Sequence, residues 1–80
     1  MKYVYVLQSV DHPEQVYVGL TADLRLRIKN HNAGGSPHTK KFRPWRLKSY
    51  VAFSDKEKAD AFERYLKKGT GRVFSKRWLR

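Results

Sequence analysis

The chain contains no cysteine. Disulfides and thiolate metal sites are therefore excluded, and a reducing compartment is the simpler setting. It also lacks any apolar run near the roughly 20 residues that a membrane-spanning helix needs. The opening stretch, "MKYVYVLQSVDHPEQ", has one lysine and an apolar run too short and too strand-like for a secretory leader. These absences lead to the expectation of a cytoplasmic protein without a membrane role, or a nuclear one if the source is a eukaryote. Acids are scarce too: seven Asp and Glu stand against eighteen Lys and Arg, for a formal net charge of +11. A length of 80 residues suits one domain, spanning 1–80, with one modest core. No repeat, low-complexity tract or linker divides it.

The cationic surplus is uneven. Residues 1–40 carry a net +2 and residues 41–80 a net +9. The segment "SPHTKKFRPWRLKSY", Ser36 to Tyr50, has five basic residues, no acid, and Phe42, Trp45 and Tyr50 among them. Such an excess implies a polyanionic partner, DNA or RNA, because neutralised phosphates release condensed counterions. The plainer alternative is a solvated basic face.

Local patterns predict an α+β chain. "KYVYVLQS" is apolar on both faces and rich in β-branched and aromatic residues, as in a central strand. "DHPE" is a turn and "QVYVG" a second strand, completing a hairpin. After a turn at Gly19, a helix is expected from Thr21, with Thr21 or Asp23 at its N-terminus, ending before Gly34–Gly35. Ser36–Pro44 reads as loop and Trp45–Phe53 as a third strand. "SDKE" at Ser54–Glu57 has the form of a capping box that opens a helix running to Lys68 and closed by Gly69. "GRVFSKRWLR" reads as a short basic final helix.

Two helices carry polar residues where apolar ones belong. At about 100° per residue, Arg27 and His31 share the inward stripe of Leu24 and Ile28, while Leu26 points outward. A snorkelling arginine and a hydrogen-bonded core histidine would account for each singly. Together, after a strand–glycine turn, they suggest a functional cleft. On the later helix Glu63 lies beside the stripe of Ala59, Phe62 and Leu66. It is either a marginal glutamate bridged to Lys67 at i+4 or, near an inward Arg and His, a metal ligand. Tyr3, Tyr5 and Tyr17 crowd the hairpin. Tyr5 and Tyr17 share a face only if odd positions pair with odd, which the loop does not determine. Their rings suit packing, and their hydroxyls could act in acid–base chemistry if neighbouring cations favoured the phenolate.

In this order "VYV" (Val4–Val6), "YVG" (Tyr17–Gly19), Arg27, His31 and an inward Glu63 resemble the GIY-YIG nuclease superfamily. The likeness is to its small single-domain members, related to the catalytic module of the excision-repair incision subunit, and it covers nearly the whole chain. It implies a three-stranded antiparallel sheet flanked by helices and metal-dependent cleavage of a DNA phosphodiester, as in repair or recombination. Tyr5 matches the first-motif tyrosine and Tyr17 the second. Arg27 matches the family arginine, His31 the frequent histidine one turn later, and Glu63 the metal-binding glutamate. Tyr3 departs from the glycine of the first motif, and Val4 and Val18 replace isoleucines. No asparagine follows Glu63, although many members have one there.

On this reading Glu63 holds one hard cation, magnesium or manganese, and Arg27 grips a non-bridging phosphate oxygen. Tyr5 or Tyr17 takes the proton of the attacking water with help from His31. Lys29 and the arm residues Lys40, Lys41, Arg43 and Arg46 bind the flanking backbone, with selection by DNA structure or by a protein partner. Two rivals use the same charges: a non-catalytic nucleic-acid-binding module, and a small basic protein docking on an acidic one.

Overall fold

β1 (Lys2–Ser9) is apolar on both sides because both sides are covered. In the computed structural model, which describes residues 1–80, it is the middle strand of a three-stranded antiparallel sheet of order β2-β1-β3. β2 (Val16–Thr21) and β3 (Trp45–Phe53) are both edge strands. Alternate residues of β1 enter two separate cores. Val4 and Val6 pack with Val18, Ala59 and Leu66, beneath α2 (Lys56–Leu66) and α3 (Gly69–Trp78). Tyr5 and Leu7 pack with Trp45 on the other face, where Leu24 and Ile28 of α1 (Leu24–Asn32) close the layer. Each fully buried Val or Leu contributes about 1.5–3 kcal/mol, so the two sides of β1 hold much of the apolar stabilisation. This is the α+β architecture expected from the sequence.

Several boundaries differ from the sequence reading. There is no turn at Gly19, which lies inside β2 opposite Tyr5, and the strand continues to Thr21. The missing side chain serves packing here: a Cβ on Gly19 would fall on the Tyr5 hydroxyl and ring. The helix starts after Asp23, whose Oδ1 accepts from the Leu26 N–H at 3.1 Å. Ser54–Glu57 does not form a capping box. Asp55 is the N-cap, its Oδ1 accepting from the Glu57 and Lys58 amides at 2.8 and 3.3 Å. A full negative charge at the positive end of the helix outcompetes a serine hydroxyl. α2 stops at Leu66, and Gly69, at φ 48°, opens α3 instead of closing α2. Within the 36–44 loop, Lys40–Phe42 form one 3₁₀ turn.

β3 also carries a bulge. Pairing with β1 jumps from Val6↔Ser49 to Leu7↔Leu47, leaving Lys48 without a partner. The C-terminal helix is tied down from both ends. Leu79 packs against the core of Val4 and Val6, and the Ser49 hydroxyl donates to the Leu79 carbonyl at 2.6 Å. At the other end Gly71 lets α3 sit directly on the end of α2, since a Cβ there would fall on the Tyr65 carbonyl.

That last contact is with backbone, which cannot swing aside. Gly71→Ala is expected to cost about 1–3 kcal/mol, the usual range for overpacking. At this chain length that lowers the melting temperature by roughly 4–8 °C per kcal/mol, readable by thermal circular dichroism. An unchanged melting temperature would show that the α2–α3 junction is not close-packed.

Candidate active site

α1 has one fully buried residue, and it is a histidine rather than an aliphatic. Its neighbours explain this. β1 and β2 pair odd with odd, Tyr5↔Gly19 and Leu7↔Tyr17, so Tyr5 and Tyr17 do share the face beneath α1. Their ring centroids are 6.3 Å apart, and those of Tyr5 and Tyr17 lie 5.8 and 5.1 Å from the His31 ring. The bare backbone of Gly19 provides the room across β2 that the Tyr5 ring occupies. His31 Nε2 is 2.8 Å from the Tyr5 hydroxyl, and Nδ1 is 2.6 Å from Thr39 Oγ1. Burial, with the charge of Arg27 adding to it, pushes the His31 pKa below its usual 6.5. A neutral imidazole has one donor and one acceptor nitrogen, so hydroxyl, ring and hydroxyl form one directed chain.

The chain of bonds continues through residues that no sequence signal marked. The Trp45 indole N–H donates to the Thr39 carbonyl at 2.7 Å. The Asn32 amide clasps the Trp45 backbone, accepting from its N–H at 2.6 Å and donating to its carbonyl at 3.0 Å. Thr39 sits amid a run of basic residues and reads only as loop, and its partners are far away in sequence. The polar network nonetheless seats the loop that precedes the basic arm.

Arg27 lies beside both tyrosine hydroxyls, Tyr5 first and Tyr17 second, and they raise its pKa further. The Tyr5 phenol is pushed up from its ordinary 10.0 chiefly by burial; the neighbouring Arg27 guanidinium pulls the other way, and the charges of Tyr17 and Glu63 add to the rise. Tyr5 is fully enclosed, whereas Tyr17 keeps partial exposure. The Arg27 Nε is buried and has no protein partner. An unpaired buried donor of this kind costs about 1–3 kcal/mol. Arg27 and Lys29 both line a cavity of about 470 Å³, which also includes Thr21 and Asp23.

Glu63 stands apart, on the helix of the opposite layer, with its charge still felt at Tyr5. Its side chain is 19 % exposed and accepts from Lys67 Nζ at 2.7 Å, so the i+4 bridge is present. No group of three or more His, Asp or Glu side chains is gathered anywhere. Closed zinc geometry needs three or four protein ligands; a magnesium-type site needs one or two carboxylates and completes its shell with water and substrate phosphate. Glu63, bonded to Lys67, is a single carboxylate that could offer one ligand to a site of the second kind. Lys40, Lys41, Arg43 and Arg46 are exposed. Arg43 folds back on the Lys40 carbonyl at 3.0 Å, and Arg46 reaches Gln8 Oε1 at 3.4 Å.

Comparison with known proteins gives the following likenesses. Residues 1–77 match the family model described as the GIY-YIG catalytic domain. A UPF0213 protein of Clostridium perfringens is 41% identical over 71 residues, covering 88% of this chain and 74% of that protein. The structure-specific endonuclease subunit SLX1 homologue of Giardia intestinalis is 38% identical over 65 residues, 76% of this chain but 18% of that much longer protein. Among solved structures, the solution NMR structure of a UPF0213 protein from Bacillus halodurans superposes with a TM-score of 0.56 at 36% identity, covering 95% of this chain and 81% of the other.

The depressed pKa of His31 links folding to pH. The unfolded chain binds the proton more readily, so stability is fully present above about pH 6.5 and is lost as pH falls toward the folded value. Melting temperatures measured from about pH 8 down to about pH 5 should therefore fall in the lower half of that range. His31→Gln should be less stable at neutral pH and flatter across the same range; an equal acid loss in the variant would move the effect to another group.

Proposed function

The chain belongs to the GIY-YIG family, and on that premise we propose that it is a nuclease that hydrolyses a phosphodiester of DNA in the cleft between Arg27 and Tyr17. The observation that carries the reading is the Arg27 guanidinium set beside two tyrosine hydroxyls, its Nε without a protein partner, in a chain of net charge +11. A phosphate oxygen is the acceptor that such a donor lacks, and a guanidinium holds it by paired, charge-assisted hydrogen bonds. As water attacks phosphorus and the bond to the leaving oxygen breaks, the added negative charge falls on the non-bridging oxygens that Arg27 faces.

Tyr17, as its phenolate, has the exposure to take the water's proton and become the phenol, and Tyr5 does not. Tyr5 and His31 act behind it, fixing the guanidinium and the Tyr17 ring. Glu63 is the residue that would hold a magnesium or manganese ion, which when bound neutralises charge on the leaving oxygen. Lys67 shields the carboxylate in the ion's absence. Lys29 continues the cationic lining beyond Arg27, and the arm of Lys40, Lys41, Arg43 and Arg46 takes up flanking phosphates. Those contacts carry no sequence information, so selection by DNA structure or by a partner protein is expected. The relative named a structure-specific endonuclease subunit is in keeping with that.

Glu63→Gln retains the side chain's size and removes the charge. Nicking of a branched duplex with magnesium should collapse, while binding should persist or tighten. A purely structural Glu63–Lys67 bridge instead predicts at most about 1 kcal/mol of lost stability and undiminished nicking, and a wild-type protein that binds but never nicks would favour a non-catalytic binding module. Arg27→Ala should abolish nicking and weaken binding as well.

Salt dependence tests the arm. The logarithm of the affinity for duplex DNA should fall with a slope of about −0.9 per neutralised phosphate. Replacing Lys40 and Lys41 by alanine should flatten it by one to two such increments, and an unaltered slope would remove the arm from the contact surface.

A further inference from the structure

The edge of β2 borders another cavity, which Tyr17 lines and Arg27 does not. It measures about 270 Å³. Val18 and Leu66 form its apolar floor, and Tyr17, Lys67, Arg72 and Arg80 stand around it. Every charged side chain in the lining is cationic, whereas the cavity beside Arg27 includes Asp23. Lys67 is already matched by Glu63 at 2.7 Å. The three salt bridges of the molecule involve neither Arg72 nor Arg80, so both guanidiniums lack a carboxylate.

These arginines are held in place by ordered backbone. The Arg72 N–H donates to the Lys68 carbonyl at 3.2 Å within α3, and the Arg80 N–H to the Ser75 carbonyl at 3.1 Å. Leu79, next to Arg80, packs into the core, and its carbonyl accepts from Ser49. Two unpaired guanidiniums over an apolar floor suit one phosphate above one sugar. Tyr17 links this cavity to Arg27, since it lines the cavity and its hydroxyl neighbours the Arg27 guanidinium.

We propose that the pocket between β2 and α3 binds a backbone phosphate adjacent to the scissile one, with Arg72 and Arg80 as its ligands, so that the cut DNA strand runs from the α1 side across Tyr17 toward α3. This rests on the phosphodiesterase reading of the Arg27–Tyr17 cleft. The sequence alone pointed to Lys29 and the Lys40–Arg46 arm, and Arg72 and Arg80 extend that contact surface beyond β2.

The test is a binding titration in EDTA, which measures affinity apart from cleavage. The probes are branched DNA duplexes carrying a single neutral methylphosphonate linkage at successive positions on either side of the junction. Wild-type protein is compared with Arg72→Gln/Arg80→Gln, in which both exposed side chains keep most of their length. The expected result is a neutral linkage at one position that weakens wild-type binding several-fold and leaves the double variant unaffected. The salt slope of the double variant should also shrink by about 0.9. Equal losses in both proteins, or an unaltered slope, would overturn the proposal, as would failure of wild-type protein to bind DNA at all. A wild type that shows the coupling but does not nick with magnesium would sink the catalytic reading and leave the pocket assigned.

Discussion

The hydrogen bonds through His31 join three parts of the molecule. Tyr5 belongs to the central strand, His31 to α1 and Thr39 to the loop before the basic arm. α1 spans nine residues and buries only that imidazole completely, so its seating on the sheet depends on polar bonds as much as on Leu24 and Ile28. Inside a protein such a network is strong when every member is paired and costly when one is lost. All its groups find partners within one region: Tyr5 on His31, His31 on Thr39, the Thr39 carbonyl on Trp45, and Trp45 on Asn32. The position of Arg27 follows, because it is one turn before His31 on the same helix.

Charge is distributed around that seat with little cancellation. Of the seven acids, Glu63 is the one whose field is felt at Tyr5, and it approaches from the opposite layer of the fold. Arg27 approaches from α1. The two charges thus approach Tyr5 from opposite faces of the sheet. Tyr5, enclosed between them, responds to both signs: Arg27 favours its ionised form and Glu63 disfavours it, while burial outweighs either.

What could be read from the residues was whatever depends on local pattern. The central strand and Trp45–Phe53 appear at the expected bounds, Leu26 turns outward at 62% exposure, and His31 turns inward. These follow from periodicity, which neighbours in sequence determine. Competition between equivalent local signals was not readable. Ser54 and Asp55 both suit a helix cap, and only the observed geometry shows that the carboxylate takes the amides. Gly19 resembles a turn residue because glycine usually is one; its real constraint is the Tyr5 ring, fourteen positions away. Thr39, Asn32 and the unpaired arginines of α3 depend on contacts across the fold, and no window of residues displays them.

The bulge at Lys48 has a meaning for the crowded solution. A sheet with two open edges invites a second copy to extend it, and bulges and outward lysines are common ways to discourage this. Here Lys48 interrupts the ladder on one edge with Arg46 nearby, and Lys67, Arg72 and Arg80 stand over the other. The cations that make the molecule attractive to a polyanion therefore also keep its copies apart. A nucleic acid that neutralises them removes that mutual repulsion, so colloidal solubility should be lowest near charge equivalence and recover when either component is in excess.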